Sequence, residues 1–389
     1  MNEEHKIKTY SKREFLKTCG LGICVLGLGS LKTFAKNLPN TTNKSSDILD
    51  KWSREALFYS KLDDEYLQCE KCPHECKLTD GDFGFCRSRV NVKNKLYTIG
   101  YGNPCSVHID PIEKKPFYHF LPTARAFSIA VAGCNFRCLN CQNWQISQFS
   151  PKETENYDLP PEKVIEQCLK YKSETIAYTY SEPTTFYEYV LDTAKLAKSS
   201  GIKNLLKSNG YINEKPLRQL CKVTDAANID LKTFDNDVYK KISSGDLHTV
   251  IRNLKIFREE GVWLEVTNLI IPNWTDNMDT IKKMCDWFVK NKLDDVPLHF
   301  SRFTPMYKMT HLPYTPLSTL DKAYKIAKDS GIKYVYIGNI PTNKAENTYC
   351  HKCKKLLIER RGFSVLNNNI AKGKCKFCNE KIPGVWGNG

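Results

Sequence analysis

The pattern of apolar and polar positions changes at residue 127, where short apolar runs begin to alternate with helical stretches. Seven β-branched runs are predicted as strands, near residues 127–132, 175–180, 203–208, 226–231, 262–270, 297–302 and 333–338. The stretches between them include PPEKVIEQCLKYK, with Pro161 in a first helical turn, and TTFYEYVLDTAKLAKSS, which ends at Gly201. DTIKKMCDWFVKN and LSTLDKAYKIAKDSG are predicted as two more helices. Repeated strand–helix units predict a parallel sheet, and this number of strands favours a complete or incomplete barrel.

Polar residues lie at the carboxyl ends of these strands. In parallel α/β folds, active sites are found at that edge of the sheet. They are Glu182 after the second strand, Ser208 and Asn209 after the third, Asp230 and Lys232 around the end of the fourth, and His299 in the sixth. Asp230 and Lys232 are separated by one residue, so both charged side chains are expected on one strand face. Each set also has a purely structural interpretation: a solvated carboxylate, an Asn-Gly turn, an ion pair and a core histidine.

The first 36 residues have the composition of a targeting segment rather than of a folded domain. A basic start ends in SKREFLK and is followed by the apolar run CGLGICVLGLGSL. This pattern resembles a twin-arginine export signal with Lys12 in the place of the first arginine, and the run is too short to cross a bilayer comfortably. We expect export or membrane tethering through this segment, with cleavage near Ala35. A cytoplasmic protein with an uncleaved leader is the alternative.

The composition describes a globular chain with a sizeable core and a basic surface. The chain has 389 residues, 41% of them hydrophobic, and a formal net charge of +15. The lysines are spread along the sequence without an arginine-rich tract or a recognisable RNA-binding motif, so we interpret the charge as scattered surface lysine. Nucleic acid is therefore disfavoured as a partner.

The cysteines are the most informative feature of the composition. Most of the 17 cysteines fall into three tight groups. The groups are Cys69, Cys72, Cys76 and Cys86; Cys134, Cys138 and Cys141; and Cys350, Cys353, Cys375 and Cys378. Repeated C-x2-C pairs are typical of metal sites and uncommon in disulfide frameworks. The sequence therefore predicts three metal sites.

The number of cysteines in each group distinguishes structural sites from a site where chemistry is expected. The tail group has the spacing of a zinc ribbon, and four thiolates complete the tetrahedral shell of zinc. The N-terminal group also offers four ligands and is predicted as a structural site, with zinc favoured over an auxiliary iron–sulfur cluster. The middle group offers three, which leaves one position open on the bound metal. An open position is what chemistry on a bound substrate or cofactor requires.

The middle group also carries a family resemblance. Cys134-x3-Cys138-x2-Cys141 after an apolar strand resembles the signature of radical S-adenosylmethionine (SAM) enzymes. AGCNFRCLNCQNWQIS, HIDPIEKKPFYHFLP and LLIERRGFSVLNNNI resemble the AmmeMemoRadiSam-system radical SAM proteins, relatives of the pyruvate formate-lyase activating enzymes. The resemblance covers residues 65–389.

The resemblance implies an α/β fold, a radical SAM partial (β/α) barrel with an N-terminal Cys-rich module and a C-terminal zinc-ribbon-like module. The expected boundaries are 1–36 for the signal or anchor, 37–60 for a linker and short helix, 61–125 for the Cys-rich module, 126–340 for the barrel and 341–389 for the tail. The short helix is expected near residues 52–59.

The same resemblance implies a cofactor and its contacts. A 4Fe-4S cluster on the three middle cysteines would bind SAM and, with an electron from an external donor, cleave it reductively. Glu182 is expected at the SAM amino group, Ser208 and Asn209 at its ribose or methionine, Asp230 and Lys232 nearby, and His299 as a further contact. Two positions depart from the family pattern: Asn140 replaces an aromatic residue near the adenine, and Thr304 replaces a histidine.

Two functions are compatible with these observations. The first is a radical SAM oxidoreductase, similar to glycyl-radical activating enzymes, that abstracts hydrogen from an unidentified substrate. Kinship with activating enzymes favours a protein substrate, and the AmmeMemoRadiSam resemblance implies the other proteins of that system as partners. The second is a metal-stabilised nucleic-acid-binding protein without radical chemistry. It predicts salt-sensitive RNA or DNA binding and does not need a three-cysteine site.

Overall fold

Two small antiparallel sheets form the N-terminal part of the fold. The computed structural model describes residues 48–340 and 344–387, all within the compact unit Lys44–Gly389. The strands are β1 (Arg54–Glu55), β2 (Tyr59–Lys61), β3 (Leu67–Cys69), β4 (Lys77–Leu78), β5 (Arg89–Val92) and β6 (Lys95–Thr98). They pair in the orders β1–β6–β5 and β2–β3–β4. The predicted export signal lies outside the described residues.

The short helix predicted near residues 52–59 is wrong. Instead, β1 pairs antiparallel with β6, and β2 pairs antiparallel with β3. The partner strands lie later in the chain, so the segment's own weak helical pattern did not reveal them. Pairing between distant segments overrides local propensity when the propensity is weak.

Eight consecutive strands then form one sheet, in the order in which they follow each other along the chain. They are β7 (Ser106–Pro111), β8 (Arg125–Ala130), β9 (Thr175–Tyr178), β10 (Lys203–Ser208), β11 (Ala226–Asp230), β12 (Trp263–Ile270), β13 (Leu298–Arg302) and β14 (Val335–Gly338). β8 to β14 are parallel, and β7 is antiparallel to β8. All seven predicted strands are confirmed. β7 was not predicted, and through it the main sheet begins before the expected boundary at residue 126.

The two edges of this sheet are β7 and β14. Within residues 48–340 and 344–387 these edge strands do not pair with each other. The observed architecture is therefore a mixed α/β fold with an eight-stranded sheet, and the partial barrel stays a prediction.

Helices connect the parallel strands and cover one face of the sheet. They are α1 (Trp144–Ser147), α2 (Pro161–Lys170), α3 (Tyr187–Ser199), α4 (Glu214–Cys221), α5 (Asn236–Ser243), α6 (Leu247–Glu259), α7 (Met278–Lys290) and α8 (Leu317–Asp329). The four helices predicted from the sequence are confirmed as α2, α3, α7 and α8. Side chains of Asp235, Asp246 and Asn277 accept backbone N–H bonds at the starts of α5, α6 and α7, which satisfies donors that have no partner inside a helix. No helix among the described residues is both long and apolar enough to cross a membrane.

The two faces of the sheet differ in composition. The helix-covered face is apolar and carries Ile129, Ile176, Leu206, Val266 and similar side chains of the main core. The opposite face has small apolar residues near the amino ends of the strands, and Ile112, Phe117 and Phe120 pack against them. The short 3-10 helix Ile112–Lys114 begins this covering segment. Near the carboxyl ends of the strands the same face is polar. Aromatic side chains therefore cover this face at the amino ends, and a polar surface remains at the carboxyl ends.

The tail adds a small β module next to β14. Its strands are β15 (Thr348–Tyr349), β16 (Leu356–Arg361), β17 (Ser364–Asn368), β18 (Ile370–Ala371) and β19 (Lys374–Cys375). Leu357 and Ile358 share a buried cluster with Tyr118 and Tyr336. The Arg360 guanidinium donates to the Tyr118 carbonyl at 2.8 Å. The tail thus packs directly against the aromatic segment that closes the sheet.

Candidate active site

The loop after β8 carries the three middle cysteines. The chain turns at Gly133, whose φ is 111° and where an added Cβ would lie 2.6 Å from the Cys86 carbonyl oxygen. Only glycine tolerates both the left-handed backbone and this close approach. The loop is then held by backbone hydrogen bonds from Arg137 to Ser243 and from Leu139 to Ile242, at 2.8 and 2.9 Å.

The cysteine sulfurs in this loop have the surroundings of a metal site. The Phe136 N–H donates to Cys134 Sγ at 3.3 Å, and N–H bonds to sulfur are one way in which proteins tune iron–sulfur clusters. Burial raises the pKa of the Cys134, Cys138 and Cys141 thiols. Thiols in such surroundings are neutral, and they lose their protons when a metal binds.

Glu182 is buried at the carboxyl end of β9 and organises the neighbouring loop. Only 2% of the residue is exposed. Its Oε1 accepts from the Thr184 N–H at 3.0 Å and from the Ser208 hydroxyl at 2.8 Å. Its Oε2 accepts from the Asn209 N–H at 2.8 Å. Burial raises the pKa of Glu182. A carboxylate has about four acceptor positions, so this one keeps room for one further donor.

Asn209 joins this carboxylate to the cysteine loop. While its backbone N–H donates to Glu182, its side-chain Nδ2 donates to Asn135 Oδ1 at 2.8 Å and lies 3.9 Å from Cys134 Sγ. The structure therefore brings Glu182, Ser208, Asn209 and Cys134 together, although they come from three separate stretches of the chain.

Asp230 and Lys232 form an ion pair at the end of β11, with Lys232 Nζ 2.9 Å from Asp230 Oδ2. A second lysine, Lys207 of β10, bonds to the other oxygen of Asp230. Burial by itself would raise the pKa of Asp230, but the two lysines hold it well below its usual range. Lys207 also donates to Asn228 at 2.6 Å. These side chains form the polar surface near the carboxyl ends of the strands.

His299 is in register with Thr267 on the same face of the sheet, but its partner is Glu265. His299 Nε2 lies 2.7 Å from Glu265 Oε2, and its ring lies against Tyr336 at 5.0 Å between centroids. Burial lowers the pKa of His299, so the neutral ring donates Nε2–H to the carboxylate. None of its described contacts is with Glu182, Ser208 or Asn209, so the structure places His299 in the closed, aromatic part of the fold.

The two departures from the family pattern lie at different depths. Asn140 is only 6% exposed, and its Oδ1 has no hydrogen-bond partner among the described residues. A buried acceptor without a donor is costly to the fold, by roughly 1–3 kcal/mol, and a ligand with an N–H group would satisfy it. Thr304 is half-buried just after β13.

The two four-cysteine groups are each brought together by the fold. Cys69, Cys72, Cys76 and Cys86 line a single cavity. In the tail, the sulfurs of all four cysteines lie within 4.8 Å of one another, with Cys350–Cys378 and Cys353–Cys375 both at 3.7 Å. Sulfur ligands about 2.3 Å from a tetrahedral zinc ion lie about 3.8 Å apart, so the tail group has the dimensions of a single-ion site.

Sequence reasoning missed Lys207 and Asn135. Lys207 was available as a signal, because it is a half-buried lysine directly after Leu205 and Leu206 in the strand. Asn135 gave no signal, since its importance comes from its hydrogen bond to Asn209, a residue that is distant in the sequence.

The chain is similar to several known proteins. Residues 128–288 match the Radical SAM superfamily. A solved domain of a pyruvate-formate lyase-activating enzyme from Bacteroides vulgatus aligns with 42% of this chain and 98% of that chain, at 15% identity and a TM-score of 0.36. The pyruvate formate-lyase-activating enzyme of Clostridium pasteurianum is 25% identical over 43% of this chain and 72% of its own length.

The uncharacterized protein MJ0808 of Methanocaldococcus jannaschii is 47% identical over 85% of this chain and 98% of its own length. The protein therefore belongs to the family of this archaeal protein, and it carries a radical SAM domain homologous to the pyruvate formate-lyase activating enzymes.

Proposed function

We propose that this protein is a radical SAM enzyme that holds a 4Fe-4S cluster on Cys134, Cys138 and Cys141 and cleaves SAM reductively. One observation carries the proposal: Asn209 contacts both the sulfur of Cys134 and the carboxylate of Glu182. A soft three-thiolate site and a buried acceptor for an ammonium group thus lie on two sides of one residue. These are the two requirements for holding SAM beside a cluster.

The residues present fit this cofactor pair. When bound, the cluster supplies one electron and an open iron for SAM, and cleavage gives methionine and a 5′-deoxyadenosyl radical that abstracts hydrogen. Glu182 has an acceptor position left for the SAM amino group, and a carboxylate–ammonium contact in a buried site is charge-assisted. Asn140 Oδ1, which lacks a donor, would accept from the adenine. Asp230 and Lys232 would orient the rest of the cofactor.

The substrate we favour is a protein. Support comes from the homologous pyruvate formate-lyase-activating enzymes, whose name describes action on another enzyme. An external one-electron donor is required. The other proteins of the AmmeMemoRadiSam system are the partners we propose, and export or tethering through residues 1–36 remains the localisation we expect.

Reductive SAM cleavage is the direct test. The anaerobically reconstituted full chain, reduced with dithionite in the presence of SAM, is expected to form 5′-deoxyadenosine. The variant C134A/C138A/C141A is expected to form none, because the electron-supplying site is gone. Cys105→Ser, which changes a half-buried cysteine outside the three groups, is the matched control and should keep the activity. A reconstituted wild-type protein that contains iron yet forms no 5′-deoxyadenosine would contradict the proposal.

We infer that the tail cysteines hold zinc, from the 3.7 Å separations of their sulfurs. Cys353→Ser with Cys378→Ser is expected to lower the zinc content by about one ion per chain, since a structural zinc site needs all four ligands. Metal analysis of the purified variant measures this, and its iron content should not change. A loss of iron instead of zinc would show that the tail holds an iron site.

A further inference from the structure

The N-terminal cysteines surround a cavity that has the character of a metal site. Cys69, Cys72, Cys76 and Cys86 line it together with Lys71 and Arg89. Hydrogen bonds already point at three of the sulfurs: the Phe85 N–H lies 3.4 Å from Cys76 Sγ, the Arg89 guanidinium 3.7 Å from Cys69 Sγ, and the Ser88 hydroxyl 3.3 Å from Cys86 Sγ.

The spacing of these sulfurs differs from that of the tail group. Among the described residues, the tail cysteines are the only group in which three or more possible ligand atoms lie within 4.8 Å of one another. The four N-terminal sulfurs therefore line one cavity without converging on a single point. In an iron–sulfur cluster each thiolate binds a different iron, so the ligand sulfurs lie farther apart than around one zinc ion. The middle cysteines, for which a four-iron cluster is proposed, likewise do not form such a close group.

The charges around the cavity favour a negatively charged occupant. Lys71 and Arg89 are 3% and 1% exposed, and they share one buried carboxylate, Glu188. Lys71 Nζ has no hydrogen-bond partner among the described residues and lies 3.9 Å from the carboxylate. A buried cation without full compensation is unfavourable. Four thiolates carry a net negative charge around zinc as well as around a four-iron cluster, so the second cation is balanced by either metal group and the spacing of the sulfurs is what distinguishes them.

The cavity lies directly behind the candidate active site. Asn135, the neighbour of Cys134 and the partner of Asn209, is part of its wall. The Cys86 carbonyl lies so close to Gly133 that no Cβ fits between them. His74 Nε2 lies 2.8 Å from the Asn135 carbonyl oxygen. The loops that carry the two cysteine groups are thus in contact along their length.

We propose that Cys69, Cys72, Cys76 and Cys86 bind a second iron–sulfur cluster, of the four-iron type, in contact with the loop that holds the first. In this position the two clusters exchange a single electron, one being oxidised as the other is reduced. The identity of the metal group rests on the spacing of the sulfurs around the cavity; the electron exchange rests on the proposed function.

Metal analysis of the full chain after anaerobic reconstitution tests the site. In C134A/C138A/C141A, about four iron and four sulfide per chain are expected to remain, as one four-iron cluster requires. Cys72→Ser with Cys76→Ser should lose an equal amount from the wild-type protein, while Cys105→Ser should lose none. If the triple variant contains no iron and gains a second zinc ion, the proposal is overturned and the proposed function stands. If the triple variant keeps its iron and the wild type forms no 5′-deoxyadenosine, the proposed function fails and this site stands.

Electron paramagnetic resonance tests the contact between the clusters without relying on folding of an N-terminal variant. The fully reduced wild-type protein should give a spin-coupled spectrum from two neighbouring clusters. The reduced triple variant should give the simple spectrum of one isolated cluster. A wild-type spectrum that is the plain sum of two isolated signals would overturn the electron exchange.

Discussion

Replacing Glu182 with alanine is expected to abolish measurable SAM binding and 5′-deoxyadenosine formation and to destabilise the fold. The carboxylate accepts hydrogen bonds from Thr184, Ser208 and Asn209. Each buried donor left without an acceptor costs roughly 1–3 kcal/mol, and the acceptor proposed for the SAM amino group disappears as well. Equilibrium binding of SAM, the rate of 5′-deoxyadenosine formation and urea unfolding measure the three effects.

Two further variants separate binding from stability. Glu182→Gln keeps the shape and one carbonyl acceptor but removes the negative charge, so it should fold better than Glu182→Ala and still bind SAM weakly. Glu113→Ala removes another buried carboxylate, which accepts from the Thr123 N–H at 2.8 Å in the segment that closes the sheet. It should lose stability while keeping SAM affinity. A well-folded Glu182→Gln variant with wild-type affinity for SAM would show that the Glu182 carboxylate does not bind SAM.

Replacing Glu188 with glutamine is expected to lower the free energy of unfolding by about 3–5 kcal/mol, because it leaves buried charges without their partner. Glu188 bonds to Arg89 and to the Leu57 N–H, and it is the one carboxylate that both Arg89 and Lys71 contact among the described residues. Burial by itself would raise the pKa of Glu188, but the two cations hold it below its usual range. The carboxylate is therefore ionised at neutral pH.

The exposed pair Lys282–Asp286 provides the matched control. Its side chains are 58% and 51% exposed and lie 2.7 Å apart on one helix. Asp286→Asn should change the free energy of unfolding by no more than about 0.5 kcal/mol, since solvent screens such pairs. Urea unfolding of both variants under anaerobic conditions gives the comparison. Equal stability of Glu188→Gln and Asp286→Asn would show that the buried pair adds no net stability.

Much of the framework was readable from the sequence because it depends on local periodicity. All seven parallel strands were predicted, and so were the helices α2, α3, α7 and α8, since apolar residues repeat with the spacing of one buried face. The failures were segments whose structure depends on a distant partner. A helix was predicted where β1 and the start of β2 lie, and β7 was not predicted, because the strands that pair with them come from other parts of the chain.

The candidate site also has features that the sequence predicted and features that only the structure showed. Short spacings marked Cys134, Cys138 and Cys141 as one group, and strand ends marked Glu182, Ser208 and Asn209. That Asn209 links them through Asn135 follows only from how the strands lie side by side. His299 shows the opposite outcome, since its position in β13 was predicted and its partner, Glu265 of β12, was not.

The sequence by itself determined the number of cysteines in each predicted metal site, because their repeated short spacings can be read without a structure. It also predicted which group would leave a coordination position open. Only the tertiary structure decided how far apart the sulfurs lie, since that distance depends on where separate loops meet. The tail sulfurs converge to 3.7 Å, whereas the N-terminal ones surround a cavity with two buried cations. We therefore propose different metal groups for two sites that have the same ligand count.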